Sequence, residues 1–422
     1  MEPINHGMPV VYSNSLIPGY FQSLFASVPM FISTSPFSMI VYIQFLNLIF
    51  CVFLYFWITF LFKQFKNIYV FAFIVFSPWN IYGSQAWNAA LMPFFSLFIV
   101  LGLTLVFSKK YVNFGVFLCL SIPLLALQIN LQFMTLIVLL IFLYVFGFMP
   151  KPKFLLVFWS LIPSAITLYP FVLMKLNLMK YDEPTWGYLN VVTQNLKLNL
   201  NNILEINYLF YRLMTFSTAE LLSRFEDGYL RNNYYIWPFV FFGMTISIII
   251  VIINLSFYFS KARWKLFFNS FNFKNKDYLT IIEKFDIICL IIPFIVVFLS
   301  LFSITRIPKH GLLCVFFVSY YILFRRLYEL KYSFIFDFKK SIVFYIVVTS
   351  MYTFFAGSSY RLLYSMVVKI APIYCDNKDI SNAIEKAGYK KDKLLSKENY
   401  EVTETAISQI CPYYNSLKNG NL

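Results

Sequence analysis

The sequence predicts an all-α polytopic membrane protein with about ten transmembrane helices, outer-face loops and a small C-terminal extracytoplasmic domain. Three observations carry that expectation. Residues of the types AVILMFWYC make up 60% of the 422 residues against 13% charged, with a mean hydropathy of +0.69. The apolar residues gather into long runs. Lys and Arg fall in alternate short loops between them.

A soluble chain of this length would need far more charge to cover its surface. In lipid every backbone N–H and C=O must find a partner within its own segment, so long apolar runs become helices. The alternation over about ten residues that marks a transmembrane barrel is absent. The 52 Phe and 31 Tyr stand beside many Ile, Asn and Lys, as AT-rich codon usage produces, and the Phe count carries little functional weight. A net charge of +15 does not point to nucleic acid, which requires a basic patch on a folded surface.

The apolar runs lie at 36–62, 68–78, 89–107, 111–127, 131–149, 154–174, 236–260, 285–304, 311–324 and 341–356. Most approach the ~20 residues that a crossing needs; those at 68–78 and 311–324 are short and borrow flanking residues. The resulting division is 1–35, the remnant of a first outer loop; 36–174, an N-terminal bundle; 175–235, an outer loop with interfacial helices; 236–356, the C-terminal helices; and 357–422, an extracytoplasmic tail.

One set of loops holds Lys63, Lys66, Lys109, Lys110, Lys151, Lys153, Lys261, Arg263, Lys265, Lys274, Lys276, Lys284, Arg325, Arg326, Lys331, Lys339 and Lys340. The alternate short loops hold only Arg306 and Lys309, a bias of seventeen to two that assigns the first set to the cytoplasm. The 1–35, 175–235 and 357–422 segments then fall outside. No Lys, Arg or signal-peptide pattern lies in 1–35 to carry it across, so a further helix is expected upstream of Met1.

Cys51, Cys119, Cys289 and Cys314 lie within apolar runs, where a thiol serves as a small packing group. Cys375 and Cys411 lie in the outer tail, where disulfides persist, and are expected to pair. No Cys or His spacing suggests a metal, and no cofactor is expected.

The outer turn after Ser77-Pro78 contains Trp79, Asn80, Tyr82, Ser84, Gln85, Trp87 and Asn88, with Leu91, Pro93, Phe94 and Phe95 following. Its rings suit stacking on pyranose C–H faces, and its amides and hydroxyls suit sugar hydroxyl groups. An ordinary interfacial aromatic belt has the same composition, and the residues alone leave both readings open.

The string resembles the second outer turn of GT-C membrane glycosyltransferases, in the branch of the protein mannosyltransferases and the lipid A aminoarabinose transferases. Gly7-Met8-Pro9, Ser13-Asn14-Ser15 and Pro18-Gly19-Tyr20 resemble the end of that family's first outer loop. Leu127-Gln128-Ile129-Asn130-Leu131-Gln132 resembles its next outer turn, and Arg306, Lys309 and His310 a late basic loop. The likeness covers most of residues 7–150 and is thin beyond.

What the resemblance implies is transfer of a sugar from a polyprenyl-phosphate donor to an envelope lipid, glycan or protein acceptor, with inversion. A carboxylate deprotonates the acceptor and basic groups stabilise the departing lipid phosphate. The family's acidic motif early in the first outer loop is absent here, which leaves the catalytic residue unassigned. Asp182 and Glu183, in the 175–235 segment, are the weak candidates. Trp79, Asn80, Tyr82, Ser84, Gln85, Trp87, Asn88 and Asn130 are the expected substrate-binding residues.

Gln85 stands where the family often has Arg, and Asn130 where it often has His, so Arg306, Lys309 and His310 become the expected phosphate-binding group. A solvated loop with snorkelling side chains is the plainer reading of that cluster. Ser217-Thr218-Ala219-Glu220 fits a helix capping box.

The expected location is the bacterial cytoplasmic membrane, with membrane lipid, lipid-linked sugar and its acceptor as partners. An O-antigen polymerase or ligase shares this architecture. A flippase or secondary transporter is less favoured because the apolar runs hold almost no ionisable residues, Asp286 and Lys175 lying at their edges.

Overall fold

The computed structural model describes residues 12–13, 17–18, 21–32, 36–76, 91–176, 213, 237–272, 276, 278–301, 309–330, 370, 373–376, 379–386 and 411. Apart from connecting turns, these residues are helical except for one short antiparallel pair, β1 (Tyr12–Ser13) and β2 (Ile17–Pro18), with Tyr12 opposite Pro18. The chain divides into two compact units, one formed by 1–225 and 237–350, the other by 226–236 and 351–422.

In the first unit the helices are α1 (Phe21–Ser27), α2 (Pro36–Leu61), α3 (Ile68–Val75), α4 (Met92–Phe107), α5 (Val112–Leu127) and α6 (Met134–Val145). They continue with α7 (Phe154–Lys175), α8 (Trp237–Tyr258), α9 (Lys261–Asn272), α10 (Ile281–Ser300) and α11 (Phe317–Glu329). Short 3-10 segments at Leu131–Phe133 and Lys309–Val315 lead into α6 and α11.

Local chemistry sets several of these ends. Pro36 opens α2, where a missing N–H costs nothing. Asn67 caps α3 by accepting from the Val70 amide at 3.0 Å. Thr280 and Glu283 form a reciprocal capping box at α10, Thr280 accepting from the Glu283 amide at 3.2 Å and Glu283 from the Thr280 amide at 2.8 Å. Gly147 takes a φ of 73° in the turn after α6, a conformation that costs glycine little.

Among the described residues, the closest helix crossing joins α4 to α5. A Cβ placed on Gly102 would stand 2.8 Å from the Gly115 carbonyl oxygen, and one on Gly115 would stand 2.7 Å from that of Gly102. The two backbones touch because neither residue has a side chain. Beside this crossing runs an aromatic core. Trp57 of α2 packs edge-on against Phe285 of α10 at 5.2 Å and beside Tyr321 of α11 at 5.9 Å. Its indole N–H donates to Thr104 of α4 at 3.1 Å, so the one polar atom of a buried ring is satisfied.

Ring contacts divide the bundle into two ends. At one, Phe62 meets Tyr328, Phe65 meets Phe324, Phe107 meets Phe285, and Phe146 meets Phe271. Lys284 lies over Phe107 and Lys276 over Phe148 at this same end. At the other, Phe25 of α1 touches Tyr42, Phe94 and Phe95, and Cys314 donates to the Gln132 carbonyl. The described basic turns holding Lys63, Lys66, Lys109, Lys110, Lys151 and Lys153, with α9, the start of α10 and the finish of α11, all belong to the first end.

Among the described residues, Val41–Leu61 is the stretch long and apolar enough by itself to cross a membrane. Met92–Phe107, Val112–Leu127, Leu131–Val145, Phe154–Pro170 and Ile248–Tyr258 are apolar but shorter. Two boundaries differ from the sequence expectation. The run at 311–324 divides into a 3-10 segment and α11, which continues to Glu329 because Arg325, Arg326 and Glu329 pair along its last turn. The loop expected between the runs at 236–260 and 285–304 contains α9, and α10 begins at Ile281 on its capping box, so Asp286 lies within a helix and not at its edge.

The second unit has α12 (Ile380–Lys386), capped by Asp379, which accepts from the Asn382 amide at 3.1 Å. Cys375 and Cys411 are joined by a disulfide that closes a separation of 36 residues, with Cα atoms 5.2 Å apart. Cys51, Cys119, Cys289 and Cys314 are buried free thiols.

The α4–α5 crossing gives a direct test. Gly115→Ala forces the two backbones apart and is expected to cost about 1–3 kcal/mol by overpacking. Thermal unfolding of the purified protein should show a lowered midpoint, whereas an unchanged midpoint would mean that the crossing is slack.

Candidate functional site

Of the residues singled out by sequence, Trp79, Asn80, Tyr82, Ser84, Gln85, Trp87, Asn88, Asp182, Glu183 and Arg306 lie outside the described residues, as does the Ser217–Glu220 box. For Lys309 and His310 the backbone is described, in the 3-10 segment Lys309–Val315. Asn130 is described in full.

Asn130 sits in the turn after α5. Its extended backbone (φ −155°, ψ 127°) presents Oδ1 to the Gln132 amide at 3.0 Å, so the side chain caps the 3-10 turn Leu131–Phe133. Its first duty is therefore structural. Nearby, Gln128 donates from Nε2 to the Thr167 hydroxyl of α7 at 2.8 Å, fixing the turn to its neighbouring helix. The turn packs against Lys309–Val315, and the Cys314 thiol donates to the Gln132 carbonyl at 3.4 Å. Two segments 182 residues apart, chosen separately by sequence, thus lie together at the bundle end away from the described basic turns.

The opposite end holds a cluster that the sequence reading did not assemble. Asp286, 2% exposed, accepts from Arg325 Nε at 3.2 Å on each oxygen, and its Oδ2 lies 3.8 Å from Arg263 Nε. The Tyr321 hydroxyl sits 2.7 Å from Asp286 Oδ1 and 2.7 Å from the Ile282 carbonyl, so its single proton is shared between two acceptors. Glu329 accepts from Arg263 and Arg326 and, at 3.0 Å, from Arg325 Nη1. Arg326 also donates to the Ser256 hydroxyl at 2.9 Å, and Arg263 to the Phe257 carbonyl at 3.2 Å.

Three guanidiniums and two carboxylates therefore clamp α8, α9, α10 and α11 together. Burial raises the Glu329 carboxyl, but the hydrogen bond and charge of Arg263, with Arg325 and Arg326, outweigh it and hold the group below its ordinary value. Both carboxylates are occupied as acceptors, and Asp286 is closed to solvent. Neither is placed to take a proton from an acceptor molecule. The arrangement is a clamp, not a catalytic pair.

A shallow apolar depression lies between α2 and α4, lined by Phe53, Phe94, Leu97, Phe98 and Leu101. It offers no polar group for chemistry. Among the described residues no three His, Cys, Asp or Glu side chains converge as metal ligands would. Comparison of the chain with protein-family models, with curated proteins and with solved structures finds no match.

Two outcomes are expected of the clamp. Asp286→Ala leaves Arg263 and Arg325 with Glu329 as their remaining carboxylate and should cost about 1–3 kcal/mol in denaturant unfolding. A loss below 1 kcal/mol would mean that the guanidiniums find other partners. Because Glu329 is held below its ordinary carboxylate value, its contribution is present above the unfolded value and lost as pH falls through the folded one. Below about pH 4.5 wild-type stability should therefore fall more steeply than that of Glu329→Gln.

Proposed function

We propose that the chain is a polytopic protein of the bacterial cytoplasmic membrane that transfers a sugar from a polyprenyl-phosphate donor to an envelope acceptor at the outer face. The observation that carries this reading is the convergence of the Asn130 turn with Lys309–Val315 at the end away from the described basic turns. Residues expected separately to hold the sugar and the lipid phosphate thereby come from neighbouring backbone segments. Phosphate recognition needs a cation near the headgroup level, and Lys309 with His310 supplies that type of residue there.

The membrane part of the reading has its own support. Large apolar side chains are exposed along α2 (Phe45, Phe53, Phe56, Phe60), α7 (Phe154, Leu155, Phe158, Trp159) and α8 (Phe241, Ile249, Ile252). Surfaces of that size in contact with water mark a missing apolar partner, and lipid is the partner that fits several helices at once. The clustering of basic turns at one end agrees with a cytoplasmic orientation. The Cys375–Cys411 disulfide agrees with an oxidising compartment for the second unit.

In this proposal the aromatic and amide groups of Trp79–Asn88 hold the sugar, Asn130 shapes the adjoining turn, and Arg306, Lys309 and His310 receive the lipid phosphate as it departs. The base is supplied by a carboxylate on the same face, with Asp182 and Glu183 as the candidates within this chain.

The test is transfer from polyprenyl-phosphate mannose in membranes containing the full-length protein. Arg306→Ala and His310→Ala should each lower turnover at least tenfold by removing a charge or donor from the departing phosphate. If both leave turnover and donor affinity unchanged, the phosphate assignment fails. If the wild-type protein transfers none of a panel of polyprenyl-phosphate sugars, the transferase reading fails.

A further inference from the structure

The helix α9 has two faces of different chemistry. On the inner face Arg263 is buried, bound to Glu329, with its guanidinium 4.2 Å from the Phe257 ring centre. On the flank between the two faces, half-buried Trp264 donates from its indole N–H to the Tyr258 carbonyl at 2.7 Å and packs edge-on against Phe294 of α10 at 6.0 Å. On the inner face again, Phe271 packs against Phe146, the residue that follows α6, at 4.8 Å. On the outer face Lys261 and Lys265, one turn apart, are exposed together with Phe268 and Asn269. Phe268 is 61% exposed and stacks on Trp264 at 5.9 Å.

This outer face is continuous with an apolar wall. Phe294, which Trp264 touches, is 56% exposed, and Phe298 one turn further along α10 is 54% exposed. On the membrane reading above, that wall faces acyl chains. Phe268 and Trp264 then sit at the boundary between chains and headgroups, with two lysine stems able to extend into the headgroup layer. A soluble acidic protein would complement the lysines but not the continuous run of exposed rings, whereas a lipid surface complements both.

We propose that α9 is an interfacial helix that binds anionic phospholipid in the cytoplasmic leaflet: Lys261 and Lys265 take the phosphodiester headgroups, Phe268 and Trp264 the upper acyl region. Arg263 holds the helix to α10 and α11 from behind, so headgroup binding acts on a fixed platform. The proposal rests on the membrane reading. It adds a specificity that general hydrophobicity does not supply, namely a preference for anionic over zwitterionic lipid located at one helix.

The full-length protein, purified in uncharged detergent, is titrated with short-chain phosphatidylglycerol and separately with short-chain phosphatidylcholine, following the thermal unfolding midpoint. Lys261→Gln/Lys265→Gln should raise the half-saturating phosphatidylglycerol concentration by about fivefold per lysine removed. Lys261→Arg/Lys265→Arg should restore binding, and Lys109→Gln/Lys110→Gln, at another turn of the same end, should change it little. Equal stabilisation of the wild type by both lipids would overturn the proposal, as would an equal loss in the Lys109/Lys110 variant or no loss in the Lys261/Lys265 variant. Recovery of the protein in the soluble fraction without detergent would sink the membrane reading and this proposal together. A carbonate-resistant membrane protein with no anionic preference would sink this proposal alone.

Discussion

The constraint on which the rest of the structure depends is the confinement of charge to one end of the helical bundle. An apolar helix tolerates cations only where they reach a polar partner or a polar phase. The described residues meet that constraint in two ways. Lys63, Lys66, Lys109, Lys110, Lys151 and Lys153 lie in turns, while Arg263, Arg325 and Arg326 are matched to Asp286 and Glu329. Among the residues whose side chains are described, the opposite end is left to amides, hydroxyls and rings. This polarity makes one end a candidate for anchoring and the other a candidate for recognition.

Packing follows from the same division. With no charge to accommodate between α4 and α5, Gly102 and Gly115 allow direct backbone contact. Around Trp57, rings from α2, α10 and α11 fill the interior, and the indole N–H is satisfied by Thr104. Toward the charged end that aromatic core continues into Tyr321, whose hydroxyl is already part of the Asp286 clamp. Core and clamp are therefore a single connected assembly, and the phenol joins them.

Much of this was legible in the sequence where the signal is local. Runs of apolar residues gave the position of most described helices, and the pairing of Cys375 with Cys411 follows from their separation from four cysteines in apolar runs. The clamp was not legible, because Arg263, Asp286, Arg325 and Glu329 are spread over 67 positions and a loop-by-loop charge count treats each as a solvated charge. Helix α9 was readable in principle: Lys261, Lys265 and Asn269 recur at intervals of four, with Phe267 and Phe271 on another face and Trp264 between them. The same lysines also carry the orientation signal of a cytoplasmic loop, which overlies that periodicity. Of the expected site, Asn130 proved to be a cap as well as a candidate contact, a dual use that its residue type permits but does not announce.

The central claim is that the basic end of the bundle faces the cytoplasm and the Asn130 end faces outward. Labelling of single introduced cysteines by a membrane-impermeant maleimide in intact cells, in a chain whose four free cysteines are replaced, tests it most directly. Leu131→Cys, at an exposed position beside Asn130, should react in intact cells, and Lys110→Cys should react only after the membrane is opened. Labelling of Lys110→Cys but not Leu131→Cys in intact cells would contradict the orientation and the outer-face function built on it.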